Sequence, residues 1–136
     1  MLKNSTRIKV RYAETDQMGV VHHANYALYL ELARIEWLSV LGFSYADMEK
    51  DGMILPVVSL LVNYKRPLFF DQNIQVVCQL RETPTSKITF DYEILDEQGV
   101  CVATASTVLA FVSQETKRPI PCPSALMQVL KGSLSQ

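Results

Sequence analysis

The sequence predicts an α+β domain in which one long apolar helix packs on a mostly antiparallel sheet. Three observations carry this. Residues 6–12 alternate, with Ile8, Val10 and Tyr12 against Arg7, Lys9 and Arg11, the period of a half-buried strand or of an edge strand guarded by charges. Tyr26, Leu30, Ala33, Trp37 and Leu41 then recur at helical spacing. Four further runs rich in apolar and β-branched residues follow with short connections between them.

Residues 13–24 form a loop between the first strand and a helix over residues 25–41. Leu28, Leu32 and Ile35 add a second apolar face to that helix, as on a helix covered by a sheet on one side and a partner on another. Glu31 and Arg34 are three apart and are placed to pair on the remaining surface. Gly42 occupies the position of a left-handed C-terminal cap. Ser44 with Asp47 resembles a capping box that opens a short second helix ending near Gly52. Strands are expected over 54–66, stopped by Pro67, and over 73–81, 86–96 and 99–112. Glu97-Gln98-Gly99 is the hairpin signal between the last two. Pro119, Pro121 and Pro123 break regular structure before a final short helix over 124–130.

At 136 residues the chain suits one domain, 1–136, without repeats or linkers. Hydrophobic residues at 49% against 20% charged residues supply a globular core. A net charge of −1 gives no global attraction for nucleic acid or an anionic membrane. No apolar run is long enough to span a bilayer, and residues 1–10 carry no apolar signal region. Cys78, Cys101 and Cys122 are far apart and odd in number. They read as reduced thiols of a cytoplasmic protein, neither a disulfide scaffold nor a zinc site.

The chemistry concentrates in residues 12–26, which hold Glu14, Asp16, both histidines of the chain (His22 and His23), and Tyr12. A helix begins at the end of this loop, and a helix N-terminus presents unpaired N–H groups with a partial positive charge. Such donors hold a developing oxyanion. A carboxylate beside them can attack an acyl carbon or activate water. The adjacent histidines lack the spacing of a metal pair, so no metal is expected.

The run Arg11-Tyr12-x-Glu14-Thr15-Asp16-x-x-Gly19-Val20-Val21-x-His23-Ala24-Asn25-Tyr26 resembles the signature of the hotdog-fold acyl-CoA thioesterases of the 4-hydroxybenzoyl-CoA and Tol-Pal-associated type. Glu31, Arg34, Pro56-Val57-Val58 and Tyr64-Lys65-Arg66-Pro67-Leu68 also resemble that family. The resemblance thus covers nearly the whole chain. It implies a sheet of about five antiparallel strands wrapped around the long central helix. It also implies a homodimer whose sheets join, often paired into a homotetramer, with active sites between subunits.

The resemblance gives Asp16 the role of catalytic carboxylate, as nucleophile or general base, although Asp is also an ordinary turn residue. It gives His23 a backbone N–H that polarises the thioester carbonyl. The His23 imidazole either orients the site or caps a loop. The Tyr12 hydroxyl either bonds the carboxylate or substrate, or Tyr12 is an inward-facing core residue. Glu14 is expected to be solvated or structural. Asn25 is first an N-cap candidate. Asn25, Ser59 and Asn63 are also positions that can touch substrate. Lys65 and Arg66 are placed to hold coenzyme A phosphates, as are Lys87, Lys117 and Arg118. No cofactor is expected, because coenzyme A belongs to the substrate.

Two other readings share the fold. An acyl-carrier dehydratase needs a His and a carboxylate acting on the acyl chain, whereas here the carboxylate lies in the thioesterase-like loop. A hotdog module that binds acyl-CoA without turnover is the non-enzymatic alternative. The acyl group, the pathway, the choice between coenzyme A and acyl-carrier protein, and the packing of dimers are not written in the sequence.

Overall fold

The computed structural model describes residues 2–134; Met1, Ser135 and Gln136, which the expected domain 1–136 includes, lie outside the described residues. The elements run β1 (Lys3–Lys9), α1 (Tyr26–Val40), α2 (Tyr45–Lys50), β2 (Met53–Ile54), β3 (Val57–Tyr64), β4 (Asn73–Leu80), β5 (Lys87–Leu95), β6 (Cys101–Ala110), β7 (Val112–Ser113) and α3 (Ser124–Leu134). Five strands form one antiparallel sheet in the order β1-β4-β5-β6-β3, and β2 pairs with β7 beside it. This is the expected α+β arrangement.

Alternation builds the inner face of the sheet. Ile74, Val76, Cys78 and Leu80 on β4 and Ile88, Phe90, Tyr92 and Ile94 on β5 are all buried. On α1 the buried residues are Tyr26, Tyr29, Leu30, Ala33, Arg34, Trp37 and Leu38, a single stripe at helical spacing. Trp37 meets Phe90 edge to face at 4.9 Å, and its Nε1 donates to the Leu2 carbonyl at 3.2 Å. The indole therefore fills the core while its one polar atom is satisfied.

Several local expectations change. The first strand lies earlier than residues 6–12, because the chain leaves the sheet after Val10 and closes a 3-10 turn over Tyr12–Glu14. The proposed Glu31–Arg34 surface pair does not form. Arg34 turns inward to 5% exposure between Tyr45 and Tyr92. Burial alone would lower the Arg34 pKa, but the Tyr92 and Tyr45 phenols outweigh it and hold the guanidinium charged. The strand expected over 54–66 is cut into β2 and β3 around Leu55 and Pro56. Gly42 and Gly99 do take left-handed conformations, at φ 92 and φ 80. Ser44 Oγ accepts from the Asp47 N–H at 3.4 Å.

Among the described residues, two apolar surfaces stand exposed. Leu28 and Leu32 on α1 are about half exposed. The edge strand β3 is exposed along its length apart from Val62, with Val57, Val58, Leu60, Leu61 and Tyr64 all showing large apolar area.

The buried Tyr92 hydroxyl lies 2.6 Å from Thr107 Oγ1 and faces Arg34. Tyr92→Phe leaves the buried Thr107 hydroxyl unpaired, so it should cost about 1–3 kcal/mol of stability in urea unfolding. An unchanged midpoint would show that this contact does not hold the core.

Candidate active site

The loop after β1 is a tight hairpin built on its own backbone. Thr15 bridges Val21, and the Asp16 N–H donates to the Val20 carbonyl at 2.8 Å. At the tip the Gly19 N–H returns to the Asp16 carbonyl at 3.0 Å, with Gly19 at φ 79. A side chain there would strain the backbone, which is why glycine closes the turn. Asp16 is exposed, and its Oδ1 accepts from the Met18 and Val20 N–H groups at 2.8 and 3.3 Å. The turn role and a catalytic role are thus compatible, since one oxygen shapes the loop and Oδ2 is left for chemistry.

At the base of the hairpin stands Glu14, buried to 6% exposure. Its Oε1 accepts from the Arg11 N–H at 2.9 Å and from the Tyr29 hydroxyl at 2.8 Å. Its Oε2 accepts from Arg11 Nε at 2.9 Å and pairs with Nη2 at 2.9 Å. Its carbonyl accepts from the His22 N–H at 2.9 Å and from Asn25 Nδ2 at 2.8 Å. Burial pushes the carboxyl pKa up, but the Arg11 N–H, the Tyr29 hydroxyl and the Arg11 guanidinium together hold it below the usual range. The solvated reading of Glu14 is therefore corrected: it is structural.

The second limb runs into a 3-10 turn, His23–Asn25, continuous with α1. His22, in an extended conformation, caps this turn, and its Nδ1 accepts from the Ala24 N–H at 3.2 Å. Asn25 stands at the N-cap of α1 as expected, but with helical angles and without a side-chain cap bond, and its Nδ2 donates back to the Glu14 carbonyl. The His23 N–H opens the turn, where a helical N-terminus leaves donors without an internal acceptor. The His23 ring is exposed and stacks on His22 at 4.3 Å. Tyr64 ties β3 to this point, packing edge-on against Tyr26 at 4.8 Å and donating to the His23 carbonyl at 3.4 Å.

An open hollow of about 330 Å³ lies here, lined in part by Val20, His23, Tyr26, Tyr64, Lys65 and Arg66. It gathers three of the candidate residues, His23, Lys65 and Arg66. Asp16 is not in its lining but pairs with Val20, which is. Lys87, Lys117 and Arg118 lie elsewhere, at the start of β5 and in the turn after β7. Tyr12 is neither in the core nor on the carboxylate. It is 76% exposed, meets Phe70 edge-on at 5.5 Å, and has no hydrogen bond to Asp16. Ser59 and Asn63 alternate with Leu60, Val62 and Tyr64, so they face the outer side of the sheet, away from α1. Within one chain they do not reach the hollow.

Sequence reasoning missed the His22 cap and the Glu14 clamp. Histidine is not a usual N-cap residue, so no sequence signal marked it. The Arg11-x-x-Glu14 spacing was the available signal for the clamp. Among the described residues no group of three potential metal ligands occurs.

Because its folded pKa is lowered, Glu14 contributes stability that is full above the ordinary carboxylate value. That contribution is lost as pH falls through the lower folded value. The stability gap between wild type and Glu14→Gln, from urea unfolding between about pH 7 and about pH 3, should therefore narrow toward acid. A gap that is constant with pH would show that the Glu14 charge contributes nothing.

Residues 10–130 match the family model described as the thioesterase-like superfamily. A Bacillus subtilis (strain 168) protein named "Putative acyl-CoA thioesterase YneP" is 39% identical over 113 residues, 83% of this chain and 82% of its own length. An Aquifex aeolicus (strain VF5) protein named "Putative esterase" is 35% identical over 92% of this chain and 95% of its own. Among solved structures, a DHNA-CoA thioesterase from Staphylococcus aureus superposes with a TM-score of 0.94 at 38% identity, covering 99% of this chain and 93% of the other. Among the described residues no helix is long and apolar enough to cross a membrane. With the motif, the sheet wrapped on its helix and the matched residues in agreement, the chain belongs to the thioesterase-like superfamily and has the hotdog fold.

Proposed function

We propose that this protein hydrolyses acyl-CoA thioesters to the free acid and coenzyme A. The observation that carries the reading is the Asp16 hairpin. One limb holds a carboxylate with a single oxygen engaged, and the other leads directly into the helix-opening turn at His23. Asp16 is the nucleophile or the general base, and the His23 N–H polarises the thioester carbonyl as charge develops on its oxygen. The exposed apolar residues Tyr12, Met18, Phe69 and Phe70 beside the hairpin offer an acyl group an apolar seat. Lys65 and Arg66 at the hollow supply charge for coenzyme A phosphates. Family membership and the named thioesterase relatives support the same chemistry.

The working form in this proposal is a homodimer, itself able to pair into a homotetramer. An apolar edge strand with unpaired backbone groups is a template for pairing with another chain, and β3 is such a strand. Half-exposed Leu28 and Leu32 give α1 a second face for the same purpose. Ser59 and Asn63 would then reach substrate only in a neighbouring subunit's site. All three cysteines are free thiols, which supports a cytoplasmic setting.

Thiol release from a panel of aromatic and aliphatic acyl-CoAs tests the activity. Asp16→Asn should lower turnover by about 100-fold or more while leaving the fold intact. Undiminished turnover in the folded variant would refute the role of Asp16, and tight acyl-CoA binding without any release by wild type would favour a binding module. His23→Ala separates ring from backbone, since retained turnover leaves only the N–H. The double variant Leu60→Lys/Leu61→Lys should yield monomers in sedimentation; an unchanged oligomer would place the interface away from β3.

A further inference from the structure

We infer that Glu14 is a positioning residue for the hydrolysis, which acts with the main-chain bonds of the hairpin to fix the Asp16 limb relative to the His23 turn. The inference rests on the reading that these two points perform the chemistry. Glu14 itself cannot touch substrate or exchange protons with it. Both of its carboxylate oxygens are engaged by donors, two of them on each, and the residue is buried on the side of Arg11 and Tyr29.

Its position in the covalent and hydrogen-bonded network is what matters. Asp16 follows it by two residues, so any shift of Glu14 moves the carboxylate. Its carbonyl holds the His22 N–H and the Asn25 side chain, which bracket the His23 N–H on either side. Its carboxylate is bonded to Tyr29, one turn into α1. One residue therefore anchors the strand end through Arg11, the helix through Tyr29 and the turn through its carbonyl. Rates fall steeply when reacting groups are misplaced by even about an ångström. Loosening this anchor should slow the chemical step more than it weakens coenzyme A binding, because Lys65 and Arg66 follow β3 and are not bonded to Glu14.

Steady-state hydrolysis of the best acyl-CoA by wild type, Glu14→Gln, Tyr29→Phe, the double variant and Asp16→Asn tests the inference, with circular dichroism confirming folding. Gln turns an amide donor toward donors that had an oxygen, whereas Tyr29→Phe cuts only the link to the helix. The expected result for Glu14→Gln is a kcat lower by about tenfold to a hundredfold with KM within about twofold. Tyr29→Phe should lower kcat by about threefold or more, and adding it to Glu14→Gln should cause little further loss, because both act through one contact. A folded Glu14→Gln enzyme with wild-type kcat, or a loss carried by KM, overturns the inference. If Glu14→Gln does not fold, Tyr29→Phe decides in the same way. Retained turnover in Asp16→Asn would sink the functional reading and this inference with it, whereas an inactive Asp16→Asn beside a silent Glu14→Gln would sink this inference alone.

Discussion

Glu14 holds a negative charge where only 6% of the residue reaches solvent, and the local architecture follows from satisfying it. An unpaired buried carboxylate would be neutralised or would unfold its surroundings. Here the Arg11 N–H and guanidinium answer from one side and the Tyr29 hydroxyl from the other. Meeting those donors ends the first strand, because the chain must curl through the Tyr12–Glu14 turn to bring Arg11 back. It also draws α1 to the strand end through Tyr29, which burial and the neighbouring carboxylate keep firmly protonated. The hairpin that presents Asp16 grows from this point.

The buried Arg34 is the contrasting case at the middle of α1. The Tyr92 and Tyr45 phenols face it in place of a carboxylate. The two charged residues that α1 and its loop bury thus serve different ends. Both Glu14 oxygens are bonded, while Arg34 Nε has no hydrogen-bond partner. Precision is concentrated at the end of the helix where the chemistry is proposed.

Most of the fold was legible because it is written in periods. The helical stripe from Tyr26 to Trp37 and the alternation on β4 and β5 are local signals that tertiary packing did not override. The errors fall where a side chain makes a specific non-periodic bond. Tyr12 continued the alternation of Ile8 and Val10, yet it is ejected to the surface because Glu14 captures the Arg11 N–H three residues earlier in the chain. Asn25 takes the N-cap position of α1, but its amide is turned to donate to the Glu14 carbonyl, and the side-chain cap bond is made by His22 on the 3-10 turn before it. Arg34 and Glu31 had the spacing of a surface pair, but spacing does not report which face of a helix is buried. Of the candidate site, His23, Lys65 and Arg66 were recognisable by motif and do meet at one hollow. The outward direction of Ser59 and Asn63 depended on strand register, which only the pairing of β3 with β6 fixes.

The hairpin tip has a consequence for how such a protein diversifies. The ladder from Glu14 to His22 is closed by main-chain bonds and by the Asp16 carboxylate, while the Gln17 and Met18 side chains project into solvent. Gly19, held at φ 79, is the one tip residue whose backbone resists replacement. Mutation at positions 17 and 18 therefore changes the surface offered to an incoming molecule without disturbing the geometry beneath it. The loop separates a frame fixed by its backbone from a lip whose surface single substitutions can change.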